Sequence, residues 1–227
     1  EQTTGTQPKY CRLSRVGGAS RAWYSTDGIS WTELGTQISF SGGLSDPVRL
    51  GIHLAGLSSS SHWVEVDWFK VRKYVDPEPS TSLGAETMWN WWNTNYRYRR
   101  QITITASSAA VPSGYSVFVT LNHADLVAAG KSLANGNDLR ILYWTGSFWS
   151  ELDRDIINVN SASTQVWFKT QAAIPASSSN NNYYIYYGNP SAGSPPANKD
   201  NLYVFWDDFE SGNLGKWSIQ SGTWTAA

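Results

Sequence analysis

The sequence predicts an all-β protein made of antiparallel β-sandwiches of the jelly-roll type. Residues 101–105, 116–120 and 165–169 alternate apolar and polar side chains with the period of two that is typical of strands. Residues 183–187 are bulky on both faces and are followed at once by turn-forming residues. A helix signal is weak, and the one candidate for a short helix or loop is 122–133. Short strands spaced by turn residues favour a sandwich.

The composition supports folded sheets with polar loops. Charged residues make up 15% of the chain, whereas globular proteins average about 25%. The chain has 13 Trp and 12 Tyr but a single Met. Disordered chains lack such aromatic residues, which excludes disorder as a general description of this one.

Charge and hydropathy exclude two classes of partner. The formal net charge is −1, whereas nucleic-acid binding needs a basic patch. The densest basic cluster, at residues 97–100, alternates with tyrosines as a solvated strand would. No apolar run approaches the roughly 20 residues that span a bilayer. We therefore predict neither nucleic-acid binding nor membrane insertion.

Two further features concern processing and redox state. The first residues lack the charged and apolar regions of a signal peptide, which is compatible with a mature protein or an excised fragment. Cys11 is the single cysteine, so no disulfide can form within the chain. We expect Cys11 to be a buried small hydrophobe, with an intermolecular bridge as the alternative.

Two proline-containing stretches divide the chain into three folded pieces. The first linker is predicted at 77–86 and the second at 191–200. They separate an N-terminal piece at 1–76, a central β-sandwich domain at 87–190 and a C-terminal piece at 201–227. The central domain has roughly the 100 residues of a small sandwich.

The central piece carries an ordered set of motifs. They are Trp92 and residues 96–100, 135–140, 149–152, 165–169, 174–177 and 184–190. In this set the chain resembles the domain of unknown function 2341 family, found in large bacterial and archaeal surface proteins. The resemblance implies a β-sandwich, often followed by a concanavalin A-like (laminin G-like) domain. It also implies an extracellular or cell-surface location and no known enzymatic activity.

The flanking pieces resemble that neighbouring domain in the wrong order. Residues 205–210, with 215–217 and 222–224, resemble the opening of a concanavalin A-like sandwich. Residues 24–31 and 63–71 look like its late hairpin and its last strand. In that family the first and last strands are neighbours in one sheet, and the middle strands are missing here. The concanavalin A-like domain is therefore expected to be incomplete or permuted.

Three explanations of this order stay open. The chain is a window cut from a repeating array, or the two pieces meet within one molecule, or they meet between molecules by strand exchange. An incomplete sandwich exposes unpaired backbone groups at its edges, which invite another chain to pair. A head-to-tail contact of that kind does not close, and it generates filaments.

No residue is predicted to be catalytic. Glu65 and Asp67 share one face of a strand, as in the laminarinase and lichenase glycosidases that they resemble. A retaining glycosidase needs a second carboxylate partner, and the matching glutamate is missing. His53, His62 and His123 are isolated and show no zinc-ligand spacing.

A structural calcium is the one cofactor that the resemblance suggests, and no cofactor is required. In the same glycosidases an aspartate on the last strand helps to hold calcium beside the first strand. The matching positions here are Asp67, Asp207 and Asp208. The alternative is that these carboxylates make ordinary hydrogen bonds at strand edges.

Aromatic residues are the candidates for ligand contact, because flat rings stack on the apolar face of a sugar. The candidate ligand-binding residues are Trp144, Phe148, Trp89 and Trp91. Trp144 and Phe148 flank a glycine turn, which favours the surface. Trp149 and Trp167 fall within strand motifs, so we predict them in the core.

Two functions are therefore open. In one, the protein is a non-catalytic structural subunit of a filament, sheath or array, completed by strands from other copies or neighbouring repeats. In the other, it is a carbohydrate-binding or adhesion module with polysaccharide as its partner. An accessory role within a glycoside hydrolase is the third alternative.

Overall fold

The computed structural model describes residues 10–16, 19–36, 38–39, 66–87, 92–219 and 225. The chain divides into two compact units, 1–65 and 66–227. In the described part, every pair of neighbouring strands is antiparallel and the one α-helix is short. No helix there is long and apolar enough to cross a membrane.

The first unit contains a small antiparallel sheet. Its strands are β1 (Tyr10–Val16), β2 (Ala19–Ser25), β3 (Thr32–Glu33) and β4 (Ile38–Ser39). Strands β1, β3 and β4 all pair with β2. Cys11 lies on β1 and is exposed, so its predicted burial was wrong. Tyr10 and Arg12 of β1 are partly buried. Cys11 and Leu13 alternate with them along the strand, and both are exposed.

The second unit is built around a five-stranded sheet. In spatial order its strands are β10 (Trp149–Leu152), β9 (Arg140–Trp144), β13 (Ser179–Tyr187), β7 (Tyr98–Thr105) and β6 (Ser80–Thr87). The central strand β13 pairs with β7 on one side and β9 on the other, so that Ile185 lies opposite both Arg100 and Ile141. Two strands, β10 and β6, form the edges of this sheet.

A three-stranded sheet forms the other layer. Its order is β11 (Asp155–Ile157), β12 (Thr164–Lys169) and β8 (Ser116–Leu121). The register places Val166 opposite Val119 and Trp167 opposite Phe118. Because side chains alternate along a strand, Val166 and Val119 share one face and the two aromatic residues share the other.

The inner faces of the two sheets share one apolar core. Ile102, Ile104 and Ile185 of the large sheet pack in the same cluster as Val166 and Phe168 of the small sheet, and all five are fully buried. The alternation of residues 101–105 is what turns both isoleucines inward. The predicted all-β sandwich is therefore confirmed.

Two short helical segments lie outside the sheets. Helix α1 (His123–Ala128) begins after Asn122, whose side chain accepts the N–H of Asp125. It occupies the first half of the segment predicted as a short helix or loop. A 3₁₀ turn (Lys199–Asn201) is capped in the same way by Asn198.

Strands from the two flanks of the sandwich pair with each other. Strand β5 (Phe69–Val71) and strand β14 (Phe205–Asp207) form a two-stranded antiparallel sheet, the β5–β14 ribbon. Phe205 lies opposite Val71 and Asp207 opposite Phe69. This pairing takes place within one chain.

The two predicted linkers are more structured than expected. Residues 80–86 form most of β6, because Thr81 and Leu83 alternate inward opposite Ile104 and Ile102. The prolines at 77 and 79 mark only the approach to that strand. The second linker is held to the sandwich by a hydrogen bond that the Arg140 guanidinium donates to the carbonyl of Gly193, at 2.6 Å.

Candidate functional site

The outer face of the five-stranded sheet carries a row of aromatic side chains. Trp149 of β10 lies opposite Trp144 of β9, and their ring centroids are 4.9 Å apart. Trp149 also meets Tyr184 of β13 edge to face, at 5.1 Å. We call the surface formed by Trp144, Trp149 and Tyr184 the aromatic face.

Polar groups of β7 continue this row. The side-chain amide of Gln101 donates to the hydroxyl of Tyr184 at 2.9 Å and to the carbonyl of Asn181 at 2.9 Å. The guanidinium of Arg99 lies 5.0 Å from the centre of the Tyr184 ring. A cation over the ring and a donor on its hydroxyl fix the tyrosine in place. The aromatic face therefore ends in hydrogen-bonding groups.

The other end of the same sheet face is covered. Trp92 packs against Tyr96 and Tyr186, with centroid distances of 5.3 and 6.0 Å. Tyr96 and Tyr186 are buried by this packing. Beside them Arg140 forms an ion pair with Glu151 at 2.6 Å. At the aromatic end of this face, Trp144 and Tyr184 are half-exposed.

The structure places both predicted turn residues at the surface. Trp144 is half-buried in the aromatic face, while Phe148 is 63% exposed. The turn between them is closed by Thr145, whose hydroxyl oxygen accepts the N–H groups of Ser147 and Phe148. Gly146 takes a positive φ of 97° there. Trp89 and Trp91 lie outside the described residues.

The core assignment of two tryptophans was wrong. Trp149 and Trp167 are each half-buried on the outer face of a sheet, since their neighbours in the strand face the core. Their motifs did predict strands, but a period of two leaves open which of the two faces is inside. Trp167 packs on Phe118 with centroids 4.7 Å apart.

A cleft lies between the edge strands β6 and β8, on one side of the sandwich. Its volume is about 280 Å³, and Trp167 and Arg72 are among the residues that line it. The Arg72 guanidinium lies 5.6 Å from the Trp167 ring and donates to the Tyr115 hydroxyl at 3.0 Å. It is also paired with Glu78. Across the cleft, the hydroxyl of Thr81 donates to the carbonyl of Phe118 at 2.7 Å.

A network of charged side chains joins the β5–β14 ribbon to the sandwich. Asp155 of β11 accepts from Lys70 of β5 at 2.7 Å and from the hydroxyl of Tyr203 at 2.8 Å. The ammonium of Lys199 lies 3.4 Å from its other oxygen. Asp155, Lys70 and Tyr203 come from positions far apart in the chain, so no local motif could have predicted the network.

Burial and pairing shift the pKa values in this network. Burial lowers the pKa of Lys70 below its usual range, although Asp155 opposes the shift. Burial alone would raise the pKa of Asp155, but Lys70, Lys199 and Tyr203 together outweigh it and the net pKa is lowered. Burial and the neighbouring carboxylate raise the pKa of Tyr203. The network is therefore a buried ion pair braced by a neutral tyrosine at neutral pH.

The three residues suggested for calcium occupy different environments. Asp207 is buried, and its two oxygens accept the N–H of Phe209 at 3.0 Å and the indole N–H of Trp217 at 2.6 Å. Asp208 accepts the N–H of Glu210 at 3.2 Å. Within the described ranges, no three His, Cys, Asp or Glu side chains, Asp67 included, come together as a metal site. Calcium stays a prediction.

One serine, histidine and aspartate do come together, but in an order that does not suit catalysis. His123 accepts the N–H of Asn160 on Nδ1 at 3.0 Å, so its proton lies on Nε2, 3.0 Å from Ser132 Oγ. Ser132 in turn donates to Asp138 at 2.9 Å. A nucleophilic serine needs a histidine that accepts its proton. Burial lowers the pKa of His123, which keeps the ring neutral.

Comparisons with known proteins give one result. A family model described as Domain of unknown function (DUF2341) matches residues 135–226. The match begins inside the predicted central domain and runs through β14, so it supports the resemblance stated for the motifs at 135–190. No curated protein and no solved structure matches the chain significantly.

Proposed function

We propose that this protein is a non-catalytic carbohydrate-binding module of an extracellular or cell-surface protein, and that the aromatic face binds the sugar. The observation that carries the proposal is the continuous row from Trp144 through Trp149 to Tyr184, which ends at Gln101. Half-buried indole rings next to amide and guanidinium groups match the two kinds of surface that a sugar ring presents.

The size of the row suits a short saccharide chain. The four strands β10, β9, β13 and β7 are consecutive in the sheet. Neighbouring strands lie about 4.8 Å apart, so three spacings give a surface about 14 Å wide. A surface of that width accommodates more than one sugar ring. The open, sheet-borne shape supports binding along a polysaccharide rather than enclosure of a small molecule.

The arrangement of the polar residues supports a role without catalysis. In the described part of the chain, the buried His123 donates towards Ser132 instead of accepting from it. The buried carboxylates Asp138 and Asp155 are saturated by hydrogen bonds and ammonium groups. Carboxylates paired in this way stabilise the fold.

The test is affinity electrophoresis in gels that contain soluble polysaccharides, such as β-glucans, xylan, galactomannan and pectin. We expect one class to retard the wild-type chain, and Trp144→Ala to weaken binding about tenfold through lost stacking, which is worth about 1.4 kcal/mol. Trp167→Ala is the matched control, because it removes a half-buried tryptophan from the other sheet. Retardation by none of the polymers, or equal loss in both variants, would contradict the proposal.

Assembly by strand addition is the second candidate function. It is favoured by β6 and β8, edge strands that each pair on one side only among the described strands and that border the 280 Å³ cleft. A second copy would add to these sandwich edges through their unpaired backbone groups. The solution mass, measured by light scattering behind a sizing column, tests this. Polymers that persist in high salt support assembly, and a monomer at all concentrations excludes it.

A further inference from the structure

The rings of the aromatic face do not lie in one plane. The ring planes of Trp144 and Trp149 are inclined to each other by 49°. The ring of Tyr184 stands at 84° to that of Trp149. Aromatic rings stack on the apolar face of a sugar, so each ring of this set needs a sugar that faces a different direction. A flat, rigid ligand could rest on one ring only.

The strands below the rings are also turned relative to one another. Neighbouring strands of a sheet are rotated by about 20–25°, and the row crosses β10, β9, β13 and β7 in that order. The outer face therefore turns by about 60–75° from β10 to β7. A single polysaccharide chain can follow this turn by rotation about its glycosidic bonds. The packed chains of a crystalline polysaccharide are held flat and cannot follow it.

The side-chain amide of Gln101 has a fixed orientation at the polar end of the row. Its nitrogen donates to the carbonyl of Asn181 and to the hydroxyl of Tyr184, each at 2.9 Å. A carbonyl can only accept, so the nitrogen must lie on that side and Oε1 on the other. Because the Tyr184 oxygen accepts this bond, its own proton points elsewhere. The pair therefore presents an acceptor, Gln101 Oε1, beside a donor, the Tyr184 hydroxyl.

The acceptor of this pair is open to solvent. Gln101 Oε1 accepts no hydrogen bond from the described residues, and the Tyr184 hydroxyl donates none to them. Both side chains are half-buried. In the described part of the chain, Trp206 Nε1 is the one buried side-chain nitrogen or oxygen that lacks a partner. Gln101 Oε1 is therefore reached by water, and a ligand can reach it as well.

An acceptor beside a donor matches two neighbouring hydroxyl groups of one sugar ring. One hydroxyl donates to Gln101 Oε1 while the next accepts from the Tyr184 hydroxyl. We propose that the aromatic face binds single polysaccharide chains whose internal rings keep two neighbouring hydroxyl groups free, and that it does not bind crystalline polysaccharide. This specificity rests on the proposed function, because it concerns the same surface.

The linkage of a polymer decides whether it belongs to this class. The internal rings of xylan, of the galactomannan backbone and of the galacturonate chains of pectin keep two neighbouring hydroxyl groups. Those of laminarin do not, since their linkage uses the carbon between the two ring hydroxyls. All four polymers have apolar ring faces that can stack on tryptophan. They therefore differ in the contact with Gln101 and Tyr184, which stacking alone does not distinguish.

The test compares dissociation constants from affinity electrophoresis in gels that contain xylan, galactomannan, pectin or laminarin. We expect one of the first three to bind about tenfold more tightly than laminarin, because two hydrogen bonds distinguish them. Equal retardation by laminarin overturns this specificity and leaves the proposed function standing. Retardation by none of the four polymers contradicts the proposed function itself.

Microcrystalline cellulose tests the exclusion of crystalline polysaccharide. Its rings keep two neighbouring hydroxyl groups, but its chains are packed flat. We expect the protein to stay in solution when it is mixed with this cellulose and centrifuged. Adsorption that Trp144→Ala abolishes overturns the exclusion, because it shows that the tilted rings accept a flat surface.

Two variants separate recognition of the hydroxyl groups from stacking. Tyr184→Phe keeps the ring and removes the hydroxyl, so it should weaken binding of the preferred polymer about fivefold and leave laminarin binding unchanged. Trp144→Ala removes a stacking ring and should weaken binding of both polymers by a similar factor. If Tyr184→Phe discriminates between the two polymers as well as the wild type does, the proposed role of the hydroxyl pair is overturned.

Discussion

The sandwich and the β5–β14 ribbon are held by different forces. In the sandwich, fully buried apolar side chains from both sheets meet in a single cluster, with Ile185 and Phe168 among them. The ribbon contacts the sandwich through Lys70, Asp155 and Tyr203, two of which are charged. The sandwich is stabilised by area removed from water. The ribbon has ring contacts of its own, among Phe69, Phe205 and Trp217, but its contact with the sandwich depends on the pairing of buried charges.

The difference predicts how each region fails. Apolar burial is worth about 25 cal/mol per Å² and does not depend on a particular partner. A buried ion pair gains little over an apolar contact, yet it is costly to break because one charge is left unpaired. The sandwich should therefore tolerate changes in proportion to their size, whereas the ribbon should depend on single residues.

Truncation of Ile185 should have the largest effect. The residue is fully buried at the centre of the large sheet, so Ile185→Ala should lower the free energy of unfolding by about 4 kcal/mol. Chemical denaturation followed by circular dichroism measures it. Val204→Ala is the control, because Val204 is 61% exposed and should cost less than about 0.5 kcal/mol. Similar losses in the two variants would contradict a core at Ile185.

Removal of the Asp155 charge should act on the ribbon first. Asp155→Asn leaves Lys70 partly buried without its counter-charge, a change worth about 3 kcal/mol in docking of the ribbon. Native-state hydrogen exchange should show faster exchange of Val71 and Val204 amides, with the amide of Ile185 unchanged. Equal acceleration in both regions would show that the ribbon and the sandwich unfold as one unit.

This contrast also explains what could be predicted from the sequence. The sandwich follows from local patterns, because the alternation in β7, β8 and β12 predicts the strands and divides their residues between two faces. It does not say which face is inside, and Trp167 of β12 was assigned to the wrong one. The ribbon network depends on Lys70, Asp155 and Tyr203, which are brought together only by the tertiary fold. No pattern in the sequence indicates that these three residues are in contact.

The same limit applies to the candidate sites. Trp144 and Phe148 were predicted at the surface because they flank a glycine turn, and the structure places them there. Trp149 was assigned to the wrong face, since a strand motif does not tell the inner face from the outer one. The register with Trp144 decides it. Trp206 was predicted only as part of a strand, and the burial of its indole N–H without a partner among the described residues is a property of the packed chain.

Substitution of a glycine at the end of a sandwich strand should have an effect of intermediate size on stability. Gly188 follows β13 with a positive φ of 87°, and a methyl group there would lie 2.6 Å from a ring carbon of Tyr98. Gly146 has a φ of 97°, and the described atoms leave open space around it. Gly188→Ala should cost about 2 kcal/mol and Gly146→Ala about 1 kcal/mol, because both strain the backbone and only the first also forces a clash. Equal midpoints in thermal melts would contradict the clash.

Acidification should have the smallest effect on the free energy of unfolding, and it should destabilise the two regions at different pH values. His123 lies in the sandwich, and its pKa is below the 6.5 of the unfolded chain. The stabilisation that comes from its neutral ring is therefore complete above pH 6.5 and declines as the pH falls below that value. Asp155 in the ribbon network has a pKa below 3.8, so its contribution persists until the solution is more acidic than that. The sandwich should thus lose stability first as the pH falls, although the neighbouring Asp138 and Arg154 have opposite effects on the pKa of His123.

The assignment is checked by denaturation midpoints measured between pH 7.5 and pH 5. The control is His123→Gln, whose midpoint should change less over the same range. A wild-type midpoint that does not move, or one that moves equally in the variant, would mean that the buried imidazole is not the titrating group.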